Sequence, residues 1–204
     1  MKKNKKVGIM GGTFNPIHLG HLLLAEEAKT QAGLDEILFM PSGCSYMKEE
    51  GSILSAKERI KMTALAIEDN TSFSLSTLET ERVGATYTFE TLMQLKEQNP
   101  QNEYYFILGA DNLFSIEKWK NPQLIFDNCT LIAAVRGDKD IIQIKEKADL
   151  LTEEFDAKVI LLSERMIDIS STEIRERIKQ GLSVRYMIPQ KVLSYIEKYK
   201  LYQR

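Results

Sequence analysis

Apolar residues fall along the chain in two alternating kinds of block. Short runs, Val7-Gly8-Ile9-Met10, Glu36 to Met40, Phe73 to Ser76, Tyr104 to Leu108, Thr130 to Val135 and Val159 to Leu162, have the length and branched or aromatic content of strands. Between them Leu22 to Ala28, Ser55 to Glu68, Thr88 to Gln98 and Ile141 to Phe155 read as helices. Gly33 is placed to cap the first helix, and Ser55-Ala56-Lys57-Glu58 has the capping-box form that opens the second. Ile60, Ala64, Leu65 and Ile67 are the apolar stripe predicted for that second helix. A second capping box, Ser170 to Glu173, starts a helix over Thr172 to Gln180 that Gly181 ends, and Pro189 begins a last one. Strand and helix alternate, which predicts an α/β fold: an open parallel sheet, helices on both faces, right-handed crossovers. The expected organisation is one domain, 1–204, with a small helical C-terminal part from about 170.

The chemistry gathers at the first strand-to-helix junction. Gly11-Gly12-Thr13-Phe14-Asn15-Pro16-Ile17-His18-Leu19-Gly20-His21 holds both histidines of the chain behind a glycine turn. Such a junction offers free backbone N–H groups and a helix N-terminus at the carboxyl edge of a sheet, where phosphates bind. The glycines at 8, 11 and 12 do not make the dinucleotide fingerprint, and no Walker loop is present. A metal site on the histidine pair would need further ligands, and Cys44 and Cys129 sit in no ligand spacing. Two ordinary surface or core histidines are the plainer alternative. At the far end, Ser170-Ser171-Thr172 and Arg175 would bring hydroxyls, backbone N–H groups and a guanidinium to one helix start, a set that suits a polyphosphate.

Composition narrows the class. The chain has 204 residues and a net charge of -2, so no global attraction for nucleic acid is expected. No stretch approaches a membrane span, and Met1-Lys2-Lys3-Asn4-Lys5-Lys6 leads into too few apolar residues for a signal peptide, so a cytoplasmic protein with no membrane partner is expected. Two isolated cysteines fit a reducing compartment.

His18-Leu19-Gly20-His21 resembles the T/HxGH signature of the nucleotidylyltransferase superfamily, and the surrounding Gly-Gly-Thr-Phe-Asn-Pro-Ile-His resembles its nicotinate mononucleotide adenylyltransferase branch. Ile169-Ser170-Ser171-Thr172-Glu173-Ile174-Arg175 is similar to the family's ISSTxIR, Arg82 to Thr88 to its R-x-G-x-S-Y-T, and Gly109-Ala110-Asp111 through Trp119 to its GADxxxxxxxW. The resemblance implies a Rossmann-like fold and adenylyl transfer from ATP to nicotinate mononucleotide with Mg2+ as cofactor. It implies catalytic roles for His18, His21 and Arg175, and ATP contacts from Gly11, Gly12, Thr13, Phe14, Gly109, Asp111, Ser170, Ser171 and Thr172. Mononucleotide contacts would come from Thr13, Asn15, Lys48, Tyr87, Thr88, Trp119 and Arg136, with the base stacked on Trp119.

Some positions depart from the pattern. Pro41-Ser42-Gly43-Cys44-Ser45-Tyr46-Met47-Lys48 replaces the usual Pro-Pro-His-Lys, Asn15 and Glu90 stand where many relatives have Asp, and Thr86 replaces a serine. Asp111 reads equally as an N-cap of the helix after it. Nothing acidic occurs in Thr86-Tyr87-Thr88, which predicts donors for a carboxylate and hence preference for the acid over the amide mononucleotide. Two rivals stay open: a sister nucleotidylyltransferase using CTP or pantetheine phosphate, and a nucleotide sensor without turnover.

Overall fold

The computed structural model describes residues 4–43, 53–134, 141–162 and 167–203. β1 (Lys6–Gly12) runs through α1 (Leu19–Ala32) to β2 (Glu36–Pro41), and α2 (Ala56–Ile67) leads to the short β3 (Phe73–Leu75). Then come α3 (Thr88–Gln98), β4 (Glu103–Gly109), α4 (Ala110–Leu113), a 3-10 turn (Ile116–Lys118), α5 (Pro122–Asn128) and β5 (Thr130–Ala134). α6 (Ile141–Phe155), β6 (Val159–Leu162), α7 (Ser171–Lys179) and α8 (Gln190–Tyr199) follow. The six strands lie in the order β3-β2-β1-β4-β5-β6, and every neighbouring pair is parallel.

A parallel sheet is apolar on both faces because helices cover both, and the strands here divide accordingly. Met10, Ile37, Phe39, Tyr105, Ile107, Ile132 and Leu162 join one core with residues of α1, α2, α7 and α8. Val7, Ile9, Met40, Tyr104, Leu108, Leu131 and Ala133 join the other, with residues of α3, α5 and α6. Successive residues of one strand thus alternate between two cores, as the period of two requires. Ile37 and Phe39 are fully buried, each worth about 1.5–3 kcal/mol of transfer energy. Truncating Ile37 to Ala would cost about 2–5 kcal/mol, since the packed neighbours cannot close the gap.

Local signals place several boundaries. Gly33, at φ 61° and ψ 45°, caps α1 in the left-handed conformation, where a side chain would be strained. Ser55 accepts the Glu58 N–H and Ser170 accepts the Glu173 N–H, so both predicted caps form.

Other expectations are corrected. α1 begins at Leu19 rather than Leu22, with His18 as its N-cap, and α7 begins at Ser171, one residue early. The buried face of α2 is Arg59, Met62, Thr63, Ala66 and Ile67, not the stripe through Ile60, Ala64 and Leu65. A stripe drawn from apolar residues alone skips a buried guanidinium and a buried hydroxyl. Thr63 satisfies its hydroxyl on Arg59 O at 2.8 Å. The helix expected after Gly109 is α4, which starts at Ala110, whereas the 3-10 turn and α5 were not anticipated; Pro122 opens α5 at its first turn. In α7 and α8, Ile174, Val192, Leu193 and Ile196 lie in the same core as Met10 and Phe39.

Candidate active site

β1 and β4 are hydrogen-bonded neighbours, but the helix after β1 packs in one core and the elements after β4 in the other. Where strand order reverses in this way, the two connections part and leave a crevice beyond the carboxyl ends of the strands. A cleft of about 620 Å3 occupies that position. Gly11, Gly12 and Thr13 line it from β1 and its turn, His21 from α1, and Gly109, Ala110, Asp111 and Asn112 from the end of β4. Ser42, Glu79, Thr86, Tyr87, Thr88, Trp119 and Lys120 complete its wall. A second hollow of about 700 Å3, reached by Lys5, Glu36, Leu75, Asn99 and Tyr104, contains none of the motif residues.

The glycine turn is shaped by its neighbours. Phe14 sits at φ 48° with its side chain buried, a conformation that a bulky residue holds only when packing dictates it. A Cβ on Gly12 would come within 2.9 Å of the Phe14 ring, so glycine is required there. Phe14 meets His21 edge-on, with ring centroids 5.1 Å apart. Its ring is therefore structural, and only its backbone is available to a nucleotide.

The two histidines are stacked, centroids 3.6 Å apart and planes 27° from parallel. His18 N–H donates to His21 Nδ1 at 3.3 Å. An Nδ1 that accepts leaves the proton on Nε2, so neutral His21 carries a donor on its outer nitrogen. His18 is 6% exposed and lies behind its partner.

Beneath the turn lies Arg59, a residue that sequence patterning passed over. Its guanidinium donates from Nη1 to Thr13 O and from Nη2 to Ser42 O, both at 2.8 Å, and from Nε to Leu54 O at 3.1 Å. Burial holds its pKa below the usual arginine value. Three carbonyls from three segments thus converge on one cation. Asn15 is buried, and its Oδ1 accepts the Leu54 N–H at 3.2 Å and the Tyr202 hydroxyl at 2.9 Å. Asn15 is among the residues expected to contact the mononucleotide, and its carboxamide oxygen is committed to the protein.

α7 closes on the same turn. Ser171 Oγ donates to Pro16 O at 2.8 Å, Arg175 Nη1 to Asn15 O at 2.9 Å, and Arg175 Nη2 to Thr172 Oγ1 at 3.2 Å. Ser170 serves as the cap, so of the hydroxyls expected to reach a polyphosphate one caps α7, one anchors it to Pro16 and one accepts from Arg175. Two segments more than 150 residues apart are joined here.

The middle of the chain supplies the far wall. Tyr87 is the N-cap of α3, and the Lys120 ammonium stands 4.1 Å from its ring centroid. This lysine was not expected; its position next to Trp119 was the only signal for it. Trp119 is half-buried and meets Phe106 edge-on at 6.2 Å. Asp111 is the second residue of α4, whose N-cap is Gly109, so the N-cap alternative for Asp111 is overturned.

Glu79 puts an acidic side chain next to Thr86-Tyr87-Thr88 in this wall, although none occurs within that stretch. Burial raises its pKa against the opposing pull of the Thr91 hydroxyl, Arg82 and the Gly43 N–H. The Thr91 hydroxyl donates to it at 2.9 Å. A Cβ on Gly43 would meet Glu79 O at 2.3 Å, so that contact requires glycine. Arg82 turns to α3, donating to Thr91 Oγ1 and Gln94 and pairing with Glu90. Lys48, Arg136 and Cys44 lie outside the described residues.

Residues 9–177 match the cytidylyltransferase-like family, and the chain belongs to it. More narrowly, it is 46% identical to a protein of Lachnoclostridium phytofermentans named "Probable nicotinate-nucleotide adenylyltransferase", over 97% of this chain and 99% of that one. A protein of the same name from Clostridium botulinum is 43% identical over 98% of each chain. Among solved structures, nicotinic acid mononucleotide adenylyltransferase of Plasmodium falciparum complexed with NaAD superposes with a TM-score of 0.80 at 24% identity, covering 98% of both chains, a likeness of fold.

Proposed function

We propose that the cleft transfers the adenylyl group of ATP to the 5′-phosphate of nicotinate mononucleotide, giving nicotinate adenine dinucleotide and pyrophosphate, a step in NAD biosynthesis. The observation that carries this is one cleft with a phosphate-binding edge, Gly11 to Thr13 with His21, facing an aromatic and hydroxyl wall, Tyr87, Thr88 and Trp119. The names of the full-length relatives point the same way.

The nucleophile is a phosphate whose second pKa lies near ~6, so it is already ionised at neutral pH and needs no general base. One of its oxygens bonds to the α-phosphorus of ATP as the bond to pyrophosphate breaks, and the electron pair leaves with pyrophosphate. The protein's task is to hold two polyanions in line and to meet the charge that builds on the α-phosphoryl oxygens. His21 Nε2–H and the backbone of 11–13 serve that charge, with His18 fixing the His21 ring from behind. Arg175 and the first turn of α7 serve the leaving pyrophosphate, and Lys120 adds cationic charge to the acceptor side. Asp111 and Gly109 face the ATP ribose, while a pyridine ring stacks on Trp119, worth about 0.5–1.5 kcal/mol beyond its buried area.

Mg2+ supplies charge neutralisation on the triphosphate when bound. Among the described residues no three His, Cys, Asp or Glu side chains cluster to hold an ion. Among the described residues, no helix is long and apolar enough to cross a membrane. Pyrophosphate release from ATP, Mg2+ and nicotinate mononucleotide tests the proposal. Release with CTP or pantetheine phosphate instead, or nucleotide binding without turnover, would refute it.

A further inference from the structure

Tyr202 follows α8 and is 187 positions from Asn15, yet its hydroxyl donates to Asn15 Oδ1 at 2.9 Å. The same oxygen accepts Leu54 N–H, so both of its lone pairs are used. Two left-handed residues bring the tyrosine there: Lys200 at φ 50° and Tyr202 itself at φ 65°. Leu201 N–H closes on Ile196 O at 3.0 Å. A tyrosine at positive φ costs about 1–3 kcal/mol unless its surroundings impose it. Here the ring packs on the core that contains Phe14 and Ile17. Burial pushes the phenol pKa up against the pull of Arg175 and Arg59, so the hydroxyl keeps its proton and remains a donor.

The turn it touches is also held through main-chain carbonyls, Thr13 O by Arg59, Asn15 O by Arg175 and Pro16 O by Ser171, and through Leu54 N–H on Asn15 Oδ1. Tyr202 adds a second and shorter hydrogen bond to the Asn15 side chain, from the opposite end of the chain, which fixes rotation of Asn15 and with it the course of the turn toward His18. We propose that Tyr202 is a positioning residue: its hydroxyl, through Asn15, sets the backbone of residues 13–16 against which the reacting phosphates are aligned. The proposal rests on adenylyl transfer as the reaction of the cleft. In-line displacement is sensitive to placement, since about 1 Å of misplacement can cost a hundredfold in rate. A partial loosening should therefore cost about tenfold.

The test compares Tyr202→Phe, which keeps the ring and removes the hydroxyl, with Tyr195→Phe. The second variant removes another hydroxyl of the same region, the one donating to Glu58 Oε2 at 2.7 Å. For each, kcat, both KM values and Tm are measured, together with hydrogen exchange of peptides covering residues 11–20 without substrate. Tyr202→Phe should lower kcat about tenfold, leave the mononucleotide KM within about twofold, and speed exchange in 11–20. Tyr195→Phe should leave kcat and that exchange unchanged. A Tyr202→Phe kcat within about twofold of wild type, unchanged exchange, or an equal loss in both variants would overturn the proposal. If wild type releases no pyrophosphate, adenylyl transfer itself is refuted, and the exchange comparison still decides whether Tyr202 orders the turn.

Discussion

Arg59→Met removes a cation that ties three segments under the glycine turn. Methionine nearly matches the arginine stem in length and is apolar, so little packing is lost and the change isolates the polar effect. Three hydrogen bonds disappear, at 2.8, 2.8 and 3.1 Å, and each bond from a charged donor contributes about 1.5–3 kcal/mol. Their sum overstates the cost, because removing a buried guanidinium also relieves its desolvation. About 3–5 kcal/mol remains, because three carbonyls lose their donor at about 1–3 kcal/mol each. In a chain of 204 residues each kcal/mol moves Tm by about 2–4 °C, so a fall of about 10 °C is expected. Thr13 and Ser42 also line the cleft, so kcat/KM should fall with stability. Arg59→Lys should lie between, since one ammonium cannot reach three carbonyls set around a planar fork. Thermal melts followed by circular dichroism at one protein concentration provide the measurement. A Met variant melting within about 2 °C of wild type would show that the three carbonyls do not need the cation.

Several further outcomes follow from the same geometry. His21→Ala should cut kcat by at least ~100-fold with little change in Tm, as loss of one preorganised donor does; near wild-type turnover removes the proposed role. Arg175→Lys should weaken ATP use more than mononucleotide use, because a point charge replaces a fork that spans Asn15 O and Thr172; equal losses for both substrates would mark the residue as purely structural. The acid mononucleotide should exceed the amide in kcat/KM by about ten- to hundredfold, provided Glu79 stays occupied by Thr91 and Gly43. Equal values would mean that Glu79 accepts from the amide, and unchanged Trp119 fluorescence at saturation would take the indole out of the base pocket. Burial pushes the Cys129 thiol up from 9.0 to about 12, so native protein at pH 8 should resist iodoacetamide at this residue until denatured. The sign for folding is the same. The folded state keeps a proton that the unfolded chain loses, so stability is constant below about pH 9 and declines as pH rises toward 12. Rapid native alkylation of the Cys129 peptide would contradict both statements.

What the sequence determined is whatever depends on neighbours along the chain. Thr88–Gln98, Ile141–Phe155 and Val159–Leu162 have the bounds expected from periodicity, and Gly33, Ser55 and Ser170 form the caps their types announce. The histidine motif was legible because a strand, a glycine turn and a helix follow one another within a few residues. The tertiary structure decided everything that needs two distant segments. That α7 anchors on Pro16, that Arg59 binds Thr13 and Ser42, and that Tyr202 reaches Asn15 are hydrogen bonds across separations of 17 to 187 positions. No local propensity encodes them, because each partner is a carbonyl or amide that looks the same wherever it stands. The stripe on α2 failed for that reason: a buried arginine is stable only where folding brings acceptors to it. Glu79 and Lys120 entered the cleft in the same way, carried there by the loops that cross the carboxyl edge of the sheet.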